Sequence, residues 1–290
     1  MATVIGVDFH QIKKNNMPEL AELRLTADYI NQTVKGKTFN KVKNNPEHKW
    51  KPLFQKHPLF TIKAKSRGKE LIVYLNNYPI RMTMGMSGYF RMTKTGKEHK
   101  HSHIIFESTC GMSLSFIDMR RFGKWWPGQD WSKDRGPDPT LDFKGFVKNI
   151  TDNLDNRAFN KPICEVLLNQ KYFNGIGNYL RAEIIYRIQE LNPFTEAREA
   201  IKKYPKILEL CKYMPELAYV SGGGKIKDWN QTVNEPTMFM QCYGNKEMVR
   251  EKDGTGRTIW YRPEHQWIKI KDENWDYYSG LPSPAYYGKA

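Results

Sequence analysis

The stretch KPICEVLLNQKYFNGIGNYLRAE, residues 161–183, carries the reading of the fold. Pro162 follows a polar pair and opens the apolar run ICEVLL. A proline suits the first position of a helix, where its missing N–H costs nothing. A second run, YLRAEIIYRIQ, repeats Leu180, Ile184 and Ile188 at four-residue spacing and reads as a second helix. Between the two lies FNGIGN, 173–178, whose two glycines permit positive φ and close backbone approach. A helix starting near Asn178 directs free amides outward, a ready phosphate site, and Lys161 and Arg181 are near enough in sequence to add charge. The same residues also fit a plain packing corner, where glycine serves only the turn.

Outward from this block the text changes twice. Residues 127–140, PGQDWSKDRGPDPT, are rich in Pro, Gly and Asp and mark a domain boundary there or shortly after. Before it, LFTIKAK (59–65), KELIVYL (69–75), PIRMTM (79–84), HIIFE (103–107) and MSLSFID (112–118) read as strands separated by turn-prone residues. Short strands in succession predict an antiparallel sandwich. Residues 18–34 predict a helix with Leu20, Leu23, Ala27, Ile30 and Val34 on one face. Pro18 is placed at its first position and Glu19 and Glu22 in its first turn, where the dipole favours anions. After the boundary the chain reads as helical to about 220. SGGGK (221–225) is a flexible loop, and 239–262 returns to strand-like text around the hairpin turn Asp253-Gly254-Thr255-Gly256.

Composition narrows the classes. The chain has 290 residues with 39% hydrophobic and 13% aromatic, which is enough to build a core. No run of about 18 apolar residues exists to span a membrane. Residues 1–16 lack the apolar stretch of a secretory signal. The four cysteines stand at 110, 164, 211 and 242, without finger spacing, so neither a disulfide framework nor a Cys-pair zinc site is expected. Lys and Arg total 46 against 31 Asp and Glu, a net +15, which predicts a polyanionic partner. No basic amphipathic helix favours a membrane surface over nucleic acid.

Three further groups carry chemistry. DMRRFGKWW (118–126) offers arginines and a phenylalanine on a tight loop after a strand. Arg can fill a vacated base position and Phe can wedge between bases. A cation–π cluster closing a sheet edge is the other reading. Met86 in GMSG (85–88) is an apolar tip between glycines, a wedge or core filler. Pro18 follows Met17. If translation starts at Met17 and that Met is removed, Pro18 carries a free secondary amine in the positive potential of a helix N-terminus. There its neutral, nucleophilic form is favoured, with Glu19 adjacent to move a proton. An ordinary helix-start proline fits the local pattern too.

These blocks, in this order, resemble the Fpg/Nei family of DNA glycosylases from Pro18 to about Arg262. PELAEL (18–23) resembles its N-terminal signature and SRGKEL (66–71) the strand bearing its catalytic lysine. GMSG and DMRRFG resemble its void-filling loops, and GPDP (136–139) its linker. Residues 161–183 resemble its helix–two-turn–helix motif, a highly specific match. GTGRTIWY (254–261) resembles the finger hairpin of the zincless branch, of vertebrate and giant-virus type, whereas bacterial members hold that hairpin with four Cys. The resemblance implies an α+β fold. An N-terminal antiparallel β-sandwich with flanking helices (18–140) would meet a helix–two-turn–helix domain (141–238) carrying a zincless finger (239–265). Residues 266–290 form a tail without a functional reading, and 1–17 a leader or a mis-assigned start.

The resemblance also implies roles. Pro18 would attack C1′ of the damaged nucleoside and form a Schiff base. Glu19 would act as the acid that opens the sugar, Lys69 would contact phosphates, and Glu22 would set the electrostatics of the nucleophile. Met86, Arg120 and Phe122 would fill the hole left by the everted base. Lys161, Asn178 and Arg257 would grip the backbone, and Lys225 would lie near the lesion. The implied partner is double-stranded DNA containing damaged bases or abasic sites, bound by a monomer inside the cell, in the nucleus or at a site of DNA replication. No metal or organic cofactor is implied. Ala21 stands where the family has proline, and Thr83-Met84 where bacterial members have His-Leu. The extension matters more, because in a chain starting at Met1 the Pro18 nitrogen is a tertiary amide without a usable lone pair. The active product is therefore expected to begin at Pro18. If the extension is retained, a catalytically inactive damaged-DNA-binding protein is the alternative. A basic ribosome-associated protein is a weaker one, since Lys69, the wedge residues and the finger have no place in it.

Overall fold

The computed structural model describes residues 18–46, 52–188, 190–224 and 239–263. The leader 1–17, Lys225 and the tail 266–290 lie outside the described residues. Helix α1 spans Leu20–Val34. It begins two residues later than the periodicity predicts, because Glu19 is an extended N-cap (φ −113°, ψ −167°). Its amide donates to Glu22 Oε2 at 2.9 Å, so Pro18 precedes the cap and does not open the helix.

Eight strands follow: β1 Phe39–Asn44, β2 Ile62–Arg67, β3 Glu70–Leu75, β4 Tyr78–Thr83, β5 Tyr89–Lys94, β6 Ser102–Ser108, β7 Met112–Ile117 and β8 Lys124–Pro127. They form two four-stranded sheets, ordered β1-β6-β7-β5 and β2-β3-β4-β8, with every pair antiparallel. Phe39, Ile104, Phe106, Leu114 and Phe116 of the first sheet share one core with Ile62, Leu71, Val73, Ile80 and Met82 of the second. The two sheets thus close face to face over their apolar sides, as a sandwich does. The α1 residues Leu23, Ala27, Ile30 and Val34 join that core.

Among the described residues, those from 143 to 220 are largely helical, and a hairpin follows at 249–261. Helices α2 Phe143–Thr151, α3 Ile163–Val166, α4 Asn178–Tyr186, α5 Ala197–Lys203 and α6 Lys206–Val220 build a second core, into which α1 inserts Ala21. Strands β9 Val249–Lys252 and β10 Thr258–Tyr261 pair antiparallel as the finger and add Ile259 to the same core. No helix among the described residues is long and apolar enough to cross a membrane.

Candidate active site

The centre of the site is a buried carboxylate at a helix N-terminus. Glu19 is fully buried. Its carboxylate accepts from the amides of Gly177 (2.7 Å), Tyr179 (3.0 Å) and Leu180 (3.3 Å). The first amides of α4, expected to face a phosphate, are therefore taken by a side chain of α1. A buried carboxylate needs donors, and the unpaired N–H groups of a helix start supply them.

Lys69 reaches the same point from the sandwich. It sits in the two-residue turn between β2 and β3, beside Gly68 at φ +55°. A Cβ on Gly68 would lie 2.0 Å from Asn174 Oδ1. The tip therefore needs glycine twice, for its backbone angle and for its fit against FNGIGN. The Gly68 amide donates to Asp138 Oδ2 at 2.6 Å, and Asn174 Nδ2 donates to the Gly136 carbonyl at 2.8 Å. Linker and turn together clamp the tip that carries Lys69. A Cβ on Gly177 would lie 2.1 Å from Lys69 Nζ and 2.3 Å from Glu19 Cδ, so both side chains pack on the bare Cα of Gly177.

Burial shapes both charges. It pushes the Glu19 carboxyl up to about 7, against the opposing pull of Lys69. It pushes the Lys69 ammonium below its ordinary range, against the attraction of Glu19 and Glu22; the positive charges of Arg135 and Arg257 act in the same downward sense. A carboxyl that holds its proton near neutrality beside an amine that sheds one more easily is a proton-transfer pair.

Glu22 is fixed from three sides. It accepts from the Glu19 amide, from the Tyr179 hydroxyl at 3.0 Å to each oxygen, and from the Gly224 amide at 2.7 Å. Burial, and then the charge of Glu22, hold the Tyr179 phenol well above its ordinary range, so it stays a donor. Pro18 is half-buried and directly precedes Glu19. Pro18, Glu19, Glu22 and Lys69 are thus brought to one place by α1, α4 and the β2–β3 turn.

The wedge candidates form a second group. Met86 and Phe122 are exposed, at 37% and 49%, unlike most of the large apolar side chains. Their loops touch, since a Cβ on Gly85 would lie 2.6 Å from the Phe122 carbonyl carbon. Arg120 stacks over the Phe122 ring at 5.0 Å, so the cation–π reading holds within the exposed loop. Asp118 is fully buried and ties the loops together. It accepts from the Ser87 hydroxyl and from the amides of Arg120 (3.2 Å) and Gly123 (2.7 Å).

Among the backbone-gripping candidates, Asn178 opens α4 half-buried, and its Oδ1 has no hydrogen-bond partner among the described residues. Arg257 is exposed at the finger turn, and Lys161 is exposed just ahead of α3. Arg181, read as near enough in sequence to add charge to a phosphate site, is fully buried and pairs with Asp253 instead. The reason is its place on α4, on a side covered by α3 and the finger. Sequence reasoning missed Tyr179, Asp118, Asp138 and Asn174 as supports. Only the runs DMRRFG, GPDP and FNGIGN, in which three of them lie, signalled them. Among the described residues no group of three or more His, Cys, Asp or Glu is placed to hold a metal ion.

Comparison with known proteins bears on this geometry. Residues 17–125 match the formamidopyrimidine-DNA glycosylase N-terminal domain. Endonuclease 8-like 1 of Mus musculus is 34% identical over 291 residues, covering 85% of this chain and 72% of that protein. The Homo sapiens protein of the same name is 33% identical with the same coverage. In fold, the chain superposes on wild-type Lactococcus lactis Fpg, solved with DNA containing N7-benzyl-Fapy-dG, at a TM-score of 0.72. That likeness, at 21% identity over 85% of this chain and 98% of the other, is one of architecture. The identity shared with the endonuclease 8-like proteins extends over 85% of this chain, and by it this chain belongs to the Fpg/Nei family of DNA glycosylases.

Proposed function

We propose that this chain removes oxidised bases, pyrimidine lesions and hydantoins among them, from double-stranded DNA and then cuts the strand at the abasic site. It is read as a bifunctional glycosylase and AP lyase working as a monomer inside the cell, in the nucleus or at a site of DNA replication. The sandwich (18–140), the helical domain (141–238) and the finger (239–265) are the working parts, with DNA across the basic face they share. The observation that carries this reading is the Glu19–Lys69 pair packed on Gly177, with the Glu19 carboxyl up to about 7.

The steps follow from that pair. The lesion leaves the helix, because its glycosidic bond is out of reach in the stack. Glu19, protonated near neutral pH, gives its proton to the sugar ring oxygen as the ring opens. The Pro18 amine attacks C1′, the base departs with the bonding electron pair and takes a proton, and an iminium links enzyme to DNA. The iminium acidifies the neighbouring C–H. Elimination of the 3′ phosphate and then of the 5′ phosphate leaves a one-nucleoside gap. Lys69 is read as neutralising phosphate near the lesion and taking a proton. Met86, Arg120 and Phe122 occupy the emptied stack, while Asn178, Lys161 and Arg257 hold the backbone. Lys225, outside the described residues, is read as lying near the damaged base.

The chemistry demands a free Pro18 amine, hence a product that begins at Pro18. The test is borohydride trapping on an abasic oligonucleotide, paired with the intact mass of the protein from its native source. A covalent adduct on a chain starting at Pro18, lost in P18G, is expected. A chain retaining residues 1–17 that forms no adduct would establish the binding-only alternative.

A further inference from the structure

Arg181 is a fully buried charge outside the proposed catalytic pair, and its side chain and that of Asp253 are both inaccessible. Its guanidinium donates to Asp253 Oδ2 at 2.6 Å, to the Cys164 carbonyl at 2.7 Å and to the Thr258 carbonyl at 3.1 Å. One side chain of α4 thus holds α3 and both ends of the finger turn. The other Asp253 oxygen organises the turn itself. Oδ1 accepts from the amides of Thr255 and Arg257, each at 2.9 Å, and from the Thr255 hydroxyl at 2.7 Å. The Asp253 amide in turn donates to the Arg257 carbonyl at 2.9 Å, and the Gly254 amide to Glu165 Oε1 at 2.9 Å.

α4 anchors the start of the finger segment with a second buried charge. Glu183 accepts from the consecutive amides of Gln241 (3.0 Å), Cys242 (2.8 Å) and Tyr243 (2.8 Å), and Arg187 neutralises it at 2.8 Å. A two-stranded hairpin is marginal alone and needs such fixing. Burying a pair of charges gives little net stability, so its use lies in the geometry it specifies.

We propose that Arg181 is a positioning residue for DNA binding: through Asp253 it sets the backbone of the finger turn and so aims the exposed Arg257 at a DNA phosphate. It performs by ion pairing the orienting task for which no cysteine set is available here. The inference rests on the reading of Arg257 as a phosphate contact.

The test measures affinity of the full chain for a duplex with a tetrahydrofuran abasic analogue, across a range of salt. R257A should bind roughly tenfold more weakly and lower the salt slope by about one unit. R181M should do the same, and adding R257A to R181M should change little further, because the aim is already lost. R181K, which keeps the charge but not the fork, should fall between. Should R181M fail to fold, D253N removes the charge but keeps an acceptor for the turn amides, and the same two quantities are read from it. An R181M protein with lowered melting temperature, but with the parental slope and the full R257A loss, would overturn the inference alone. A parental slope in R257A itself would overturn the phosphate contact and the inference with it.

Discussion

Glu19 sits with three amide donors and an ammonium around it, all of which favour the anion, yet burial outweighs them and lifts its carboxyl to about 7. In its proposed role as the acid it works only while protonated. Single-turnover excision should therefore fall about tenfold per pH unit above roughly pH 7; a rate flat from there to about pH 9 would remove Glu19 as the acid. Stability carries the same sign. A carboxyl with a higher pKa folded, about 7, than its ordinary value of 4.5 stabilises the fold in full below that lower value and loses this contribution as pH rises through about 7. E19Q should flatten that part of the melting-temperature profile, and an unchanged profile would contradict it. Gly177 is the other deciding residue. Its backbone angles suit any residue, so G177A adds no backbone strain, only a methyl group that collides with Lys69 Nζ and Glu19 Cδ. Turnover should drop about hundredfold, as misplacing catalytic groups by an ångström does. DNA affinity should hold, and unchanged single-turnover rates would mean that the pair is not the catalytic one.

Elements show which signals were local. The apolar spacing of α1 and the interior strands β3, β4, β6 and β7 were legible, because each buries a face along its own length. β1, β5 and β8 were not singled out, and all three are sheet edges. FNKVKN and YFRMTK alternate weakly and hold few buried side chains, since an edge is paired on one side only and tolerates charge. The site was legible through its motifs, but Glu19 at the α4 amides, Asp138 under Gly68 and Arg181 in the finger were not. Those contacts join residues about 70 to 160 apart, beyond any local period. The coupling of the two wedge loops by Asp118 belongs here too. D118A frees Ser87 and the amides of Arg120 and Gly123, so Met86 and Phe122 lose their common support. Excision from duplex should fall roughly tenfold, while cleavage at an abasic site in a single strand, which has no stack to refill, should change little. Equal losses on both substrates would assign Asp118 to folding alone.

At the scale of the molecule, the proposed catalytic groups exist as a set only where the two cores meet. α1 gives Ala21 to the helical core and Leu23, Ala27, Ile30 and Val34 to the sandwich core. It is also tied to α6, with Tyr219 donating to Asp28 at 2.7 Å and stacking under Arg24 at 4.0 Å. The Leu20 amide bonds the Gly175 carbonyl at 3.1 Å, next to the amides that hold Glu19. Undocking the sandwich would strip Glu19 of the α4 amides and Glu22 of Tyr179 and Gly224, and a buried acceptor left unmade costs about 1–3 kcal/mol each. It would also expose the apolar faces that α1 divides between the cores. Neither half can therefore loosen without losing contacts that stabilise the other, so calorimetry on the full chain should record one transition, with borohydride-trappable activity lost over the same range. Two resolved transitions, with activity surviving the first, would mean that the cores are independent and that the site is assembled by DNA rather than by α1.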